Sequence, residues 1–209
     1  MTYTSGNTIH DFLNAAAAKQ PAPGGGSVTA LTGALAASMG EMVINYTVGK
    51  KSAADFESEL RPAVAELTRA RQLLLKLMEE DQIAFETLSA IKKLPEDSPE
   101  RADKFPAALL ACIRTPQTMG ATALAVLEIC DRVINFVNYY LLSDLAVCAD
   151  LAMATLRCSV YSVRVNLNEL TDPEDRRRIE STTSQLLSRA AEVIRQVSPR
   201  IWARHEQGV

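Results

Sequence analysis

Apolar residues recur at intervals of three and four along almost the whole chain, and no run alternates in the way a half-buried strand would. That period commits the backbone to helices. The clearest stripe runs through Leu67, Leu74, Leu77, Met78, Ala84, Phe85, Leu88 and Ile91. Composition agrees: hydrophobic residues reach 47% while aromatics are only 5%, so alanine and leucine, both helix formers, carry the apolar content. The 209 residues suffice for one sizeable core. The expectation is an all-α single domain over residues 1–209, a bundle of about six or seven helices.

Local signals divide the chain. A short helix is predicted over Thr8–Lys19, with Asn7 as its cap. Gln20-Pro21-Ala22-Pro23-Gly24-Gly25-Gly26 cannot be helical, and Ser27 is the expected N-cap of the second helix. That helix carries Ala30, Gly33, Ala34, Ala36, Ala37 and Gly40, a ridge smooth enough for close helix approach, and stops at Gly49. A third helix should open at Ser52, with Asp55 completing a capping box, kink at Pro62 and reach Leu94. Ser98-Pro99-Glu100 opens a fourth, running to about Val137 and bent or interrupted at Pro106 and Pro116. Ser143-Asp144 opens a fifth, to about Asn168, and Asp172-Pro173-Glu174 a last one with a disturbance at Pro199.

Several function classes are disfavoured. A net charge of −3 and a lone Arg176-Arg177-Arg178 cluster do not suit a nucleic-acid partner. Cys112, Cys130, Cys148 and Cys158 are scattered among apolar neighbours, and His10 and His205 lie near opposite ends, so no metal site is expected. Val28–Val48 is long enough to tempt a membrane-spanning assignment, but Glu41 and Asn45 argue for a buried helix. The polar start, Met1 to His10, lacks a secretory signal, and a cytoplasmic protein with reduced core cysteines is expected.

Asp81 breaks the apolar stripe of the third helix, while Glu79 and Glu80 fall outside it. A carboxylate placed there is either paired, as with Lys50 or a neighbouring helix end, or works on a ligand. Asp144, in the first turn of its helix beside Ser143, is an ordinary helix start as well as a second candidate. Gly24-Gly25-Gly26 is either a tight turn or a backbone cradle for an anion. Glu41 and Asn45 face solvent or a polar seam between subunits, and Tyr139 and Tyr140 beside Asn138 are equally open.

Together these pieces resemble the formiminotransferase-cyclodeaminase family, which includes stand-alone methenyltetrahydrofolate cyclohydrolases. Pro21-Ala22-Pro23-Gly24-Gly25-Gly26-Ser27 followed by the alanine-rich helix and Asn45-Tyr46-Thr47-Val48-Gly49-Lys50-Lys51 is similar to the family's most specific stretch. Glu80-Asp81-Gln82-Ile83-Ala84-Phe85, Asn138 with Ser143-Asp144, and Val165-Asn166-Leu167 resemble its later motifs. The chain departs from the pattern where Val137 replaces a glycine, and where Tyr140 and Ser162 replace asparagines.

The resemblance implies a homodimer binding a folate near the subunit interface, with the Gly33–Gly40 ridge packing either there or inside one subunit. It implies hydrolysis of methenyltetrahydrofolate to the formyl form, or cyclodeamination of formiminotetrahydrofolate with release of ammonia, and neither needs a metal or redox cofactor. A chain without a formiminotransferase half suits the hydrolysis. The departures suit a third reading, a non-catalytic folate binder or scaffold dimer. In the enzyme reading Asp81 is the acid–base group, Asp144 and Lys50 act with it, and Gly24, Gly25, Gly26, Ser27, Lys51, Asn138, Ser143 and Asn166 bind substrate. Lys50 and Lys51 are expected to attract its glutamate tail.

Overall fold

The protein is represented by a computed structural model that describes residues 2–207, Ser52 by its backbone alone. Its helices are α1 (Ile9–Ala17), α2 (Gly25–Asn45), α3 (Glu57–Lys92), α4 (Pro99–Val133), α5 (Leu142–Leu167) and α6 (Pro173–Gln207). Short 3-10 turns at Lys51–Phe56 and Tyr139–Leu141 lead into α3 and α5, and no strand occurs among the described residues. The all-α expectation holds, with six α-helices among the described residues.

Helix ends differ from expectation where one residue competes with its neighbour. Thr8, not Asn7, caps α1 by accepting from the Asp11 amide, while Asn7 accepts from Thr4. Gly24 is the N-cap of α2, and Ser27 lies within its first turn with its hydroxyl bonded elsewhere. No capping box opens α3: residues through Phe56 form the 3-10 turn, and the Ser52 side chain lies outside the described residues. Leu141 is the N-cap residue of α5, so Ser143 does not cap it.

Interior prolines do not interrupt helices here. Pro106 and Pro116 lie within a continuous α4 and Pro199 within α6. An interior proline costs about 3 kcal/mol in an isolated helix. Burial of α4 against α3, α5 and α6 outweighs that cost.

The chain's central element is α2, packed between α3 and α5. It is apolar and long enough to cross a membrane by composition, yet ten of its residues are buried within the fold. Gly26, Gly33 and Gly40 recur every seventh residue, and each sits where a neighbour comes close. A Cβ at Gly40 would lie 3.0 Å from Cys148 Sγ and 3.2 Å from Leu67 Cδ1. At Gly33 it would lie 2.9 Å from Thr155 Cγ2 and 3.1 Å from Leu74. The small-residue ridge is thus spent inside the subunit. As α2 runs back from Gly40 to Gly33 to Gly26, α3 advances through Leu67, Leu74 and Asp81, and α5 through Cys148, Thr155 and Ser162.

That antiparallel register explains the interrupted stripe of α3. The leucine layers end at Gly26, one residue short of the start of α2 at Gly25, while α3 continues to Lys92 and α5 to Leu167. With the central helix gone, two long helices face a gap.

Polar pairs tie the rest together. Glu41 accepts from Thr68 and Arg71 of α3 at 2.9 and 3.0 Å, so it serves this subunit's own packing, while Asn45 is exposed. Cys130 and Cys148 are buried with sulfurs 3.3 Å apart, whereas Cys158 is exposed, against the expectation of a core residue. Tyr139 donates to the His205 carbonyl, and Tyr140 lies outside.

Candidate active site

The gap beyond the end of α2 is a cavity of about 390 Å³, within the size range of small-molecule sites. The turn at Pro21–Gly26 closes one end; it contains a cis peptide bond between Ala22 and Pro23. One wall is the α3 face Asp81, Phe85, Leu88, Ser89 and Lys92, and the other is the α5 face Ser162, Val165 and Asn166 with Glu169 beyond it. Cys112 of α4 also lines the cavity.

Asp81 stands at the mouth of α2. Its Oδ2 accepts from Ser27 Oγ at 3.1 Å, and the Ser27 backbone amide favours its charged form. The carboxylate therefore sits against the N-terminus of α2, whose Gly24 cap offers no side-chain hydrogen bond and whose dipole favours negative charge. A Cβ at Gly26 would lie 2.0 Å from Asp81 Oδ1, so this position admits only glycine while Asp81 stays where it is. Gly25 has open space around its Cα and Gly24 nearly so.

Burial pushes the Asp81 carboxyl above its ordinary range, and the Ser27 hydrogen bonds oppose this without cancelling it. Burial also raises the Cys112 thiol; the negative charge of Asp81 adds to that and Lys92 works against it. Asn166 donates from Nδ2 to the Ser162 carbonyl at 2.9 Å and the Cys112 carbonyl at 3.3 Å, which holds its amide plane at the cavity wall. Gln82, wholly buried, clamps Tyr3 through both its backbone groups and closes the cavity behind Asp81.

Of the residues expected from sequence, the structure brings together Asp81, Gly24, Gly25, Gly26, Ser27 and Asn166. It does not bring Lys50, Lys51, Asn138, Ser143 or Asp144 to them within one subunit. Asn138 sits at the opposite end of α2, its amide 3.0 Å from Thr47 Oγ1, and its own Oδ1 accepts from the Tyr140 amide. Twenty residues of helical rise separate Ser27 from Thr47, roughly 30 Å. Lys50 and Lys51 are exposed there and Asp144 is half-buried, so pairing of Asp81 with Lys50 is excluded in the single chain. Among the departures from the family pattern, Val137 is core, Tyr140 is exposed, and only Ser162 touches the cavity.

Sequence reasoning missed Phe85, Ser89, Lys92, Cys112 and Glu169. Helical spacing carried a signal for three of them. Continuing the Asp81 face by four, eight and eleven residues gives Phe85, Ser89 and Lys92. Nothing local marks Cys112, which a different helix supplies.

An apolar-walled groove with one half-buried carboxylate beneath a helix N-terminus defines an all-α protein with a small-molecule site suited to acid–base chemistry. The comparisons make the class particular. The family model of formiminotransferase-cyclodeaminase matches residues 8–185, and the chain belongs to that family. It is 31% identical over 169 residues to the methenyltetrahydrofolate cyclohydrolase of Methylorubrum extorquens, covering 79% of this chain and 81% of that one. To the formimidoyltransferase-cyclodeaminase of Gallus gallus it is 28% identical across 92% of its own length, spanning 36% of that longer enzyme. The crystal structure of formiminotetrahydrofolate cyclodeaminase from Thermotoga maritima superposes with a TM-score of 0.87 at 26% identity, covering 94% of this chain and 96% of that one.

Proposed function

We propose that the chain is a folate one-carbon enzyme that hydrolyses methenyltetrahydrofolate, with Asp81 as its acid–base group. The observation that carries this is the Asp81 carboxyl: raised by burial, reachable from the cavity, and fastened to the first turn of α2. The substrate's reactive carbon lies between two nitrogens and carries positive charge, which a carboxylate stabilises. Water attacks that carbon and gives its proton to Asp81. The bond from carbon to the ring nitrogen then breaks, the proton passes from Asp81 to that nitrogen, and the remaining hydroxyl proton leaves to solvent as the formyl carbonyl forms. A carboxyl whose affinity for protons is lifted toward neutrality serves both transfers. Asn166 and the glycine turn orient the ring.

Cyclodeamination needs the same carboxylate, with ammonia in place of the ring nitrogen as leaving group, and the Thermotoga likeness favours it as the second reading. Following the methenyl absorbance beside ammonia release from formiminotetrahydrofolate separates them. Loss of methenyl absorbance without ammonia chemistry is expected; ammonia release alone reverses the order, and neither activity removes the enzyme reading.

The split site bears on assembly. Asp144 and Lys50 join Asp81 only if a second copy supplies them. The outward stripe of α2, with Val28, Leu35 and Tyr46 exposed, is apolar, and Val147 and Tyr161 of α5 continue the exposed apolar surface. Leu35 is the midpoint of α2, and a two-fold axis near it lays two α2 helices antiparallel. The Asp144 end of one copy then covers the Asp81 cavity of the other. The homodimer proposed here has two shared sites.

A further inference from the structure

Among the described residues one cationic side chain, Lys92, lines the cavity, and the reaction just described does not use it. Lys92 is the last residue of α3, and its ammonium lies 2.5 Å from Glu169 Oε1, bridging the two walls at the end of the groove away from the glycine turn. A lysine in a last turn commonly faces its own helix's terminal carbonyls. Here Arg101 has that place: its Nη1 donates to the Leu94 carbonyl at 3.0 Å and reaches the Lys92 carbonyl at 3.5 Å. The Lys92 side chain is turned into the groove instead.

The groups along the groove fall in a chemical order. Asp81 stands at one end. Phe85, Leu88 and Val165 give apolar wall in the middle, and Lys92 closes the far end. Eleven residues of α3 separate the carboxylate from the lysine, about 16 Å of rise, and helical side chains lean back toward the N-terminus, which shortens the gap between the charged ends. A tetrahydrofolate presents the same sequence: a cationic carbon, an aromatic aminobenzoyl spacer, then the carboxylates of its glutamate.

We infer that Lys92 is the specificity-determining residue for the substrate's acidic tail, and that Glu169 occupies it as an internal stand-in until a substrate carboxylate displaces it. This rests on the folate reading above, and it moves tail recognition from the exposed Lys50 and Lys51 to the cavity itself. Glu169 is then a competitor of the substrate. Removing the two partners must therefore have opposite effects, which a purely structural tie between α3 and α5 would not produce.

The test is initial-rate kinetics of the full chain, Lys92→Met and Glu169→Gln, on methenyltetrahydrofolate and on the methenyltetrahydropteroate that lacks the glutamate. Lys92→Met is expected to raise KM for the tailed substrate roughly tenfold or more, with kcat within about twofold and KM for the tail-less compound little changed. Glu169→Gln is expected to lower KM for the tailed substrate by about two- to fivefold. Shifts of both variants in the same direction, or equal shifts for both substrates, overturn the inference. If the unaltered chain turns over neither compound, the folate reading fails by itself. Fluorescence titration with pteroylglutamate and pteroic acid then decides the role of Lys92. Selective loss of pteroylglutamate binding in Lys92→Met supports it, and equal binding of the two ligands before and after substitution overturns it.

Discussion

Gly26 and Asp81 are coupled by space, because the carboxylate lies where the next larger residue would put its Cβ. Gly26→Ala is therefore expected to swing Asp81 off Ser27 and lower turnover at least ~100-fold, since a displaced acid–base group loses its reach. Gly25→Ala meets open space and is expected to hold or raise stability by up to ~1 kcal/mol, glycine being the poorer helix residue. Thermal melts with rate measurements on the two variants check the contrast. Asp81 itself is a cost to the fold when ionised. Its folded pKa is raised, so the native state holds the proton more tightly than the unfolded chain does. The stability linked to this group is fully present below the ordinary aspartate range and falls as pH rises through the raised value. Asp81→Asn keeps an acceptor for Ser27 and removes that fall. It is expected to lower kcat by about 10²–10⁴-fold while leaving urea stability at neutral pH unchanged or higher. A variant that loses activity only because it unfolds would contradict this.

At the scale of elements, α2 sets both the packing and the site. Its inner face is fixed by glycines meeting Leu67, Leu74, Thr155 and Cys148, and its first turn supplies the Ser27 hydroxyl that holds Asp81. Its outer face is unused within the subunit, with Leu35 exposed at 52% at the helix midpoint. A charge there leaves the inner packing intact but opposes association of two such faces. Leu35→Glu is expected to sediment as a monomer with its helix content retained and turnover lost, as read by analytical ultracentrifugation and circular dichroism. A Leu35→Glu chain that stays dimeric would move the interface elsewhere.

For the whole molecule the consequence of shared sites is complementation. Asp81→Asn and Asp144→Asn chains are each expected to be inactive alone. Co-refolded in equal amounts, they should recover about a quarter of the original activity, because half the dimers are mixed and each mixed dimer has one intact site of two. No recovery would place Asp144 outside the chemistry. Helical periodicity, the break at residues 20–26 and the misfit of Asp81 in an apolar stripe were all legible beforehand, because each depends on spacing within one stretch of chain. Helix ends were read less well at Asn7, Ser27 and Ser143, where adjacent polar residues compete for one cap and the backbone decides between them. Interior prolines do not end their helices for a related reason: burial of α4 and α6 outweighs a local penalty. Tertiary structure alone decided that α2 begins a layer before α3 and α5 end, which opens the cavity. It also decided that Asp81 shares the cavity with Lys92 and Glu169 and lies a helix length from Asp144. Those relations join residues tens of positions apart, and their distances follow from how helices pack in register rather than from any local pattern.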